Sequence, residues 1–323
     1  MKKIWFIMAV FISTLLADNA RENIINEVLI KDTKAAIQSS NSLLDLLHKK
    51  SSNSAIKEGF NALVFSWKKV ETVYVAGELE HDAIDIPRYI DVFHNLKEDL
   101  NEQMQRVRDS KDDVSIALFK NSFKTINALE YILFSEKTIS PRDTKIAQAI
   151  VENIKVQLED ILAVYTQQSK QLLEDETFSN GVIMNALVES SYKLKEWRVA
   201  DVAGVSLKYK NQANLQRAEY GLSHNSVNAI RAILLAHQEV LDAKGYYDFG
   251  DMYEKILTDN EVQTTRNILN DALKKLSLIQ NDDLTSKEAK DFYEAANALY
   301  NNYFMSLIQN LKITSKILDA DGD

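Results

Sequence analysis

The chain has no cysteine. This excludes disulfides, thiolate metal sites, cysteine nucleophiles and lipidation of the bacterial lipoprotein kind, and leaves carboxylates and imidazoles as the chemistry of any site. Helix breakers are scarce too: 8 glycines and 2 prolines in 323 residues. No stretch shows sustained two-residue alternation, whereas long windows rich in Leu, Ile, Ala, Lys and Glu follow a helical period. These features predict an all-α protein. No H-E-x-x-H pair, G-x-S-x-G elbow or phosphate-binding glycine loop is present, so a conventional zinc peptidase or serine hydrolase is unsupported. A net charge of -9 makes the chain a poor binder of nucleic acid or anionic membranes.

What is present begins with Met1-Lys2-Lys3 and the apolar run from Ile4 to Ala17. A charged start followed by an apolar run too short to span a bilayer comfortably reads as a secretory signal over residues 1–17, cleaved after Ala17 or after Ala20. An uncleaved anchor is the competing reading. No later segment could span a bilayer, so the mature chain is expected to lack a transmembrane helix. Cleavage would also remove Lys2 and Lys3, making the mature chain more acidic still. A cysteine-free, acidic, exported chain fits the periplasm of a Gram-negative bacterium.

Hydrophobic periodicity predicts helices over residues 21–50, 55–80, a third ending near 108, then 114–135, 144–174, 177–199, one ending near 243, and 252–257, 260–279 and 286–318. Short connections suggest antiparallel bundles, divided into 18–140 and 141–323. Residues 200–223 are the most irregular stretch, with Gly204, Gly221 and a polar run, and their length marks a functional or packing loop rather than a plain connector. The acidic tail 319–323 is expected to fray.

One segment stands out, Thr125-Ile126-Asn127-Ala128-Leu129-Glu130-Tyr131-Ile132-Leu133-Phe134. At helical spacing Asn127 and Glu130 share a face with Phe123, Ile126 and Phe134, so an amide and a carboxylate point where a core should be. A buried carboxylate has to be paired, hydrogen-bonded, protonated or bound to a cation. Either Glu130 is a metal ligand with Asn127 beside it, or the two form a hydrogen-bonded pair that fixes helix register. Acids from the second helix, Glu71, Glu78 and Glu80, with His81, are the nearest candidates to join them, because sites inside bundles draw on facing helices. His94 and Glu98, four apart, form either a two-ligand pair or an ordinary helix-surface contact. His48, His224 and His237 stand apart from one another. The aromatic residues Tyr246, Tyr247, Phe249, Phe292, Tyr293, Tyr300, Tyr303 and Phe304 read as packing.

The run Ala128-Leu129-Glu130-Tyr131-Ile132-Leu133-Phe134 resembles the signature of the imelysin family, a helix reading G-x-H-x-x-E followed by an aromatic residue and an L-F pair. Thr125 stands where that family has glycine and Asn127 where it has histidine, so Glu130 alone carries over from the polar motif. Trp67-Lys68-Lys69-Val70-Glu71 with Gly77, Ile90-Asp91-Val92-Phe93-His94, and Ser226-Val227-Asn228-Ala229-Ile230 with Gly245-Tyr246 resemble further family features. The resemblance covers nearly the whole mature chain and implies two packed helical bundles. It implies a binding component of iron or haem acquisition, periplasmic or associated with the outer membrane, with iron or another divalent metal at a site drawn from Glu130, Asn127, Glu71 and Glu78, or a cell-envelope protein as partner. The alternatives it carries are a metallopeptidase and a metal-free interaction module.

Overall fold

The structure, a computed structural model, describes residues 19–96, 98–257 and 260–315; the expected signal segment and the acidic tail lie outside them. All regular structure among these residues is helical. The longer helices are α1 (Lys31–His48), α2 (Asn53–Thr72), α3 (Leu100–Asp109), α4 (Ile126–Phe134), α5 (Pro141–Gln168), α6 (Glu176–Lys193), α7 (Ser226–Leu241), α8 (Glu261–Leu276) and α9 (Lys287–Asn302). No helix among the described residues is long and apolar enough to cross a membrane.

The starts are chemically marked. Ser52, Asp99, Thr125, Asp175 and Ser286 each accept a hydrogen bond from a backbone N–H of the first turn they precede, which satisfies a donor the helix cannot. Ser140 forms a reciprocal capping box with Asp143, and Pro141 fills the first helical position of α5. Three segments have the wider π-helical turn: Ile24–Ile30 before α1, Leu194–Ala200 after α6, and Tyr303–Leu307 after α9.

Two expected helices are shorter than their periodicity. The second ends at Thr72 rather than 80, because the chain turns at Val73 and folds back through Ala76–Leu79, where a Cβ on Gly77 would lie 2.9 Å from Ile84 Cα. The segment 114–135 is not one helix. Val114–Ala117 and a single turn at Asn121–Lys124 precede α4, and the extended backbone of Thr125 restarts the helix. The long α5, whose sequence follows the expected division at 140/141, packs against α1 and α4 of the first half. Helix α7 bridges the halves by packing on both α2 and α8, and α8 packs on α9. The stretch 204–225 is irregular, as its composition predicts. Gly204 turns it at φ +69, where a Cβ would sit 2.4 Å from Ala213 N, so only glycine fits.

Candidate functional site

The last two turns of α2 put Trp67, Lys68 and Glu71 at the junction of the halves, and Lys68 is fully buried. An ammonium in that position must be surrounded by acceptors, and it is. Lys68 Nζ donates to Glu71 Oε2 at 2.7 Å, Asp91 Oδ2 at 2.7 Å and Glu219 Oε1 at 2.5 Å. The three carboxylates come from separate pieces of chain: the end of α2, the extended residue after the short helix Ile86–Ile90, and the irregular stretch before α7. A second cation enters from the π-helical segment after α6. Arg198 Nε donates to Glu219 Oε2 at 2.6 Å and its Nη2 to Glu71 Oε2 at 3.0 Å.

Asp91 gathers the most donors. Its Oδ2 also accepts from Trp67 Nε1 at 3.1 Å and Tyr220 Oη at 3.0 Å, and its Oδ1 from the Phe93 N–H at 2.9 Å. Burial alone would raise its pKa, but the charge and hydrogen bond of Lys68, with the Phe93 amide and Arg198, hold it well below the usual carboxylate range. Glu71 is lowered for like reasons, Lys68 and Arg198 outweighing its desolvation. Desolvation works to lower Lys68 and Arg198, yet the surrounding carboxylates raise both. Two cations face three acids, and the uncompensated charge falls on Glu219, which burial, Asp91 and Glu71 push upward.

Over this cluster lies a cleft of about 350 Å³. Glu71, Asp91 and Arg198 form its floor, Tyr74, Ile84, Phe93 and Trp197 line its walls, and Glu78, Asp85, Arg88, Glu189 and Lys193 stand around them. Trp197 is held in place by His94, whose ring stacks on it with centroids 4.7 Å apart and planes within 2°. His94 Nε2 lies 3.5 Å from Asp201; burial lowers the His94 pKa despite that carboxylate, and Arg198 and Lys208 add to the lowering. Deeper in, Ser190 on the cleft wall contacts His237 Nε2 at 3.3 Å, and His237 Nδ1 contacts Tyr303 Oη at 3.0 Å. Burial brings His237 down to about 3, so it is neutral.

Of the residues singled out in the sequence, Glu71 and Glu78 line the cleft; Asn127 and Glu130 do not. Asn127 Oδ1 accepts the Val92 N–H at 2.8 Å and so fixes the turn that presents Asp91. Glu130 Oε1 accepts both the N–H and the hydroxyl of Ser223, at 2.8 and 2.7 Å, tying α4 to the irregular stretch. Burial raises Glu130 to about 7, the Ser223 bonds opposing it in part. The two residues do not pair with each other; each pins a different loop. His94 and Glu98 do not share a helix face either, because His94 sits in a turn at φ 63 and Glu98 pairs with Lys120.

The donor set does not fit a metal ion. The carboxylates that converge here are already filled by Lys68 and Arg198, and Asn127 and Glu130 accept from backbone and hydroxyl. Among the described residues no group of three or more His, Asp or Glu is arranged to hold a metal. Sequence reasoning missed Lys68, Asp91, Arg198, Glu219 and Tyr220. The available signal was charge inside apolar runs: Asp91 between Ile90 and Val92, and Lys68 next to Trp67.

The imelysin family model matches residues 29–309. The fold is similar to an imelysin-like protein from Psychrobacter arcticum, with a TM-score of 0.76 and 16% identity over 93% of this chain and 99% of that one. It is also similar to a protein described as an iron-regulated protein A precursor from Parabacteroides distasonis, with a TM-score of 0.70 and 11% identity over 91% and 94% of the two chains. No curated protein matches the chain.

Proposed function

The chain belongs to the imelysin family, and from that premise we propose that it is an exported, periplasmic binding protein of iron or haem acquisition. Its ligand site in this reading is the cleft over Glu71, Asp91 and Arg198. The carrying observation is the rigidity of the floor: every charged group there is held by at least one ion pair or hydrogen bond of 3.0 Å or less, so the cleft needs little reorganisation to bind. Its mixed lining, with Trp197, Phe93 and Ile84 beside the acids Glu78, Asp85 and Glu189 and the bases Arg88, Lys193 and Arg198, suits an organic ligand that offers a flat or apolar body and polar groups at its edge. That describes haem or an iron chelate better than a bare ion, for which the carboxylates have no free face. The name of the Parabacteroides neighbour and the amino-terminal signal pattern support the iron and export parts of the reading. A peptidase gains no support, because a catalytic metal needs about three protein ligands and an open position for water.

The test is titration of the purified protein with hemin and with ferric citrate, followed by visible absorbance and intrinsic tryptophan fluorescence. Saturable binding of one of them, weakened at least fivefold in Lys193→Ala or Trp197→Ala, is the expected result. Absence of binding to both, or peptide hydrolysis abolished by a chelator, would overturn the proposal.

A further inference from the structure

The floor of the cleft over Arg198 is crowded but not closed. Arg198 directs Nε and Nη2 to Glu219 and Glu71, so Nη1 is its one nitrogen without an acceptor among the described residues. Glu71 accepts from Lys68 and from Arg198 on the same oxygen, Oε2, which leaves Oε1 without a donor among them. Neither Nη1 nor Oε1 belongs to the buried polar atoms that lack a partner. Each therefore keeps accessible surface, and Glu71 and Arg198 both line the cleft. The two groups are already joined through Nη2 and Oε2 at 3.0 Å, so the open donor and the open acceptor are close neighbours.

These two atoms carry opposite charge. Lys68 and Arg198 keep Glu71 ionised against its burial, and a guanidinium stays protonated. An anion would suit Nη1 but would face the carboxylates of Glu71 and Asp91, while a cation would suit Oε1 but would face Arg198 and Lys68. No carboxylate of the floor has both oxygens free, so a metal ion would find a single ligand. A molecule with both charges on neighbouring atoms answers each with a charge-assisted hydrogen bond. It also adds no net charge to an ion group that is already costly to desolvate. An α-amino acid has that arrangement, an ammonium and a carboxylate on one carbon. The cleft is of matching size, its 350 Å³ lying near the lower end of the roughly 300–1,000 Å³ usual for small-molecule sites. Ile84, Phe93 and Trp197 give it an apolar wall, against which a large apolar side chain would bury.

We infer that the cleft binds a free α-amino acid with a large apolar side chain. The carboxylate lies on Arg198 Nη1, the ammonium on Glu71 Oε1, and the side chain along Ile84, Phe93 and Trp197. The inference rests on the part of the functional reading that makes this cleft the ligand site, and it requires no iron.

Isothermal titration of the purified protein with L-phenylalanine tests it, with phenethylamine, which lacks the carboxylate, and 3-phenylpropionate, which lacks the ammonium, as controls. The expected result is about one equivalent of phenylalanine bound, each control at least tenfold weaker, and phenylalanine affinity reduced at least fivefold in Trp197→Ala and in Glu71→Gln. The two controls are measured on the unaltered protein, so the test holds even if Glu71→Gln does not fold. No binding of phenylalanine, a control that binds as tightly as phenylalanine, or binding indifferent to Trp197→Ala would each overturn the inference. Hemin binding without phenylalanine binding would overturn it and uphold the iron reading; phenylalanine binding with neither hemin nor ferric citrate bound would do the reverse.

Discussion

Lys68 and Lys69 are adjacent, and one helical step of about 100° sends them into different electrostatic surroundings. Lys68 is sealed, with its side chain fully buried and three carboxylates within hydrogen-bonding distance. Lys69 keeps 16% of its side chain exposed and has two. Around Lys68 the carboxylates Glu71 and Glu219 are bridged by a second cation, while around Lys69 the two acids, Asp32 and Glu239, are hydrogen-bonded to each other and Glu239 is raised to about 7. The difference teaches how one fold can settle crowded carboxylates in two ways. The Lys68 group is satisfied mainly by cations, and the Lys69 group in part by a proton.

The largest effect that would sharpen this contrast is the loss of each ammonium. Lys68→Met leaves buried Asp91 without a cation and Glu71 and Glu219 with Arg198 alone, and should cost about 3–5 kcal/mol. Lys69→Met should cost about 1 kcal/mol, because its acids are less buried and can share a proton instead. Urea unfolding of both variants measures the gap, and equal losses would remove the distinction.

Two acids of the Lys68 group also differ from Glu239 in the sign of their pH dependence, while Glu219, which is raised, shares its sign. Asp91 and Glu71 are held below their ordinary range, so their contribution is present above about pH 4 and disappears as pH falls further. Glu239 is raised to about 7, by burial first and then by Asp32, against the pull of Lys69. Its folded form holds a proton that the unfolded chain releases near pH 4.3, so stability falls as pH rises from there through 7. Glu130 has the same sign and is more deeply buried. Glu130→Gln, which keeps an acceptor for Ser223, should therefore stabilise the protein at pH 8 by about 2 kcal/mol. Glu239→Gln should do so by about 1 kcal/mol, given its partial exposure. Thermal melts at pH 5 and pH 8 show whether each variant flattens the decline.

The smallest effect concerns the turn beside the sealed group. Asn127→Ala frees the Val92 N–H and should cost about 1 kcal/mol. Calorimetric melting of the variant checks it.

The all-α architecture was legible because scarce glycine and proline and a steady helical period are local properties. The same holds for the importance of the Thr125–Phe134 stretch, whose polar residues at core positions demand partners. Their partners were not legible. Asn127 bonds to a backbone N–H 35 residues away and Glu130 to a serine 93 residues away, and neither periodicity nor spacing announces such contacts. Lys68 escaped notice for a different reason. A lysine on an amphipathic helix is ordinarily assigned to solvent, and only the folding back of Asp91 and Glu219 makes its position an interior one. The early end of α2 is likewise set by how closely Gly77 approaches Ile84, which the apolar pattern of residues 73–79 does not reveal.

The sealed ion group has a consequence in time as well as in energy. Lys68 meets Glu219 across 151 residues, and Arg198 meets Glu71 across 127. Closing loops of that length forfeits chain entropy before any contact rewards it. The first half brings Lys68 together with Glu71 and Asp91, and the second brings Arg198 together with Glu219; only the Lys68–Glu219 and Arg198–Glu71 pairs cross between them. Those two crossing pairs act as a latch that closes only when the distant segments have met. A chain interrupted between α5 and α6 would keep the local pairs but leave that latch open.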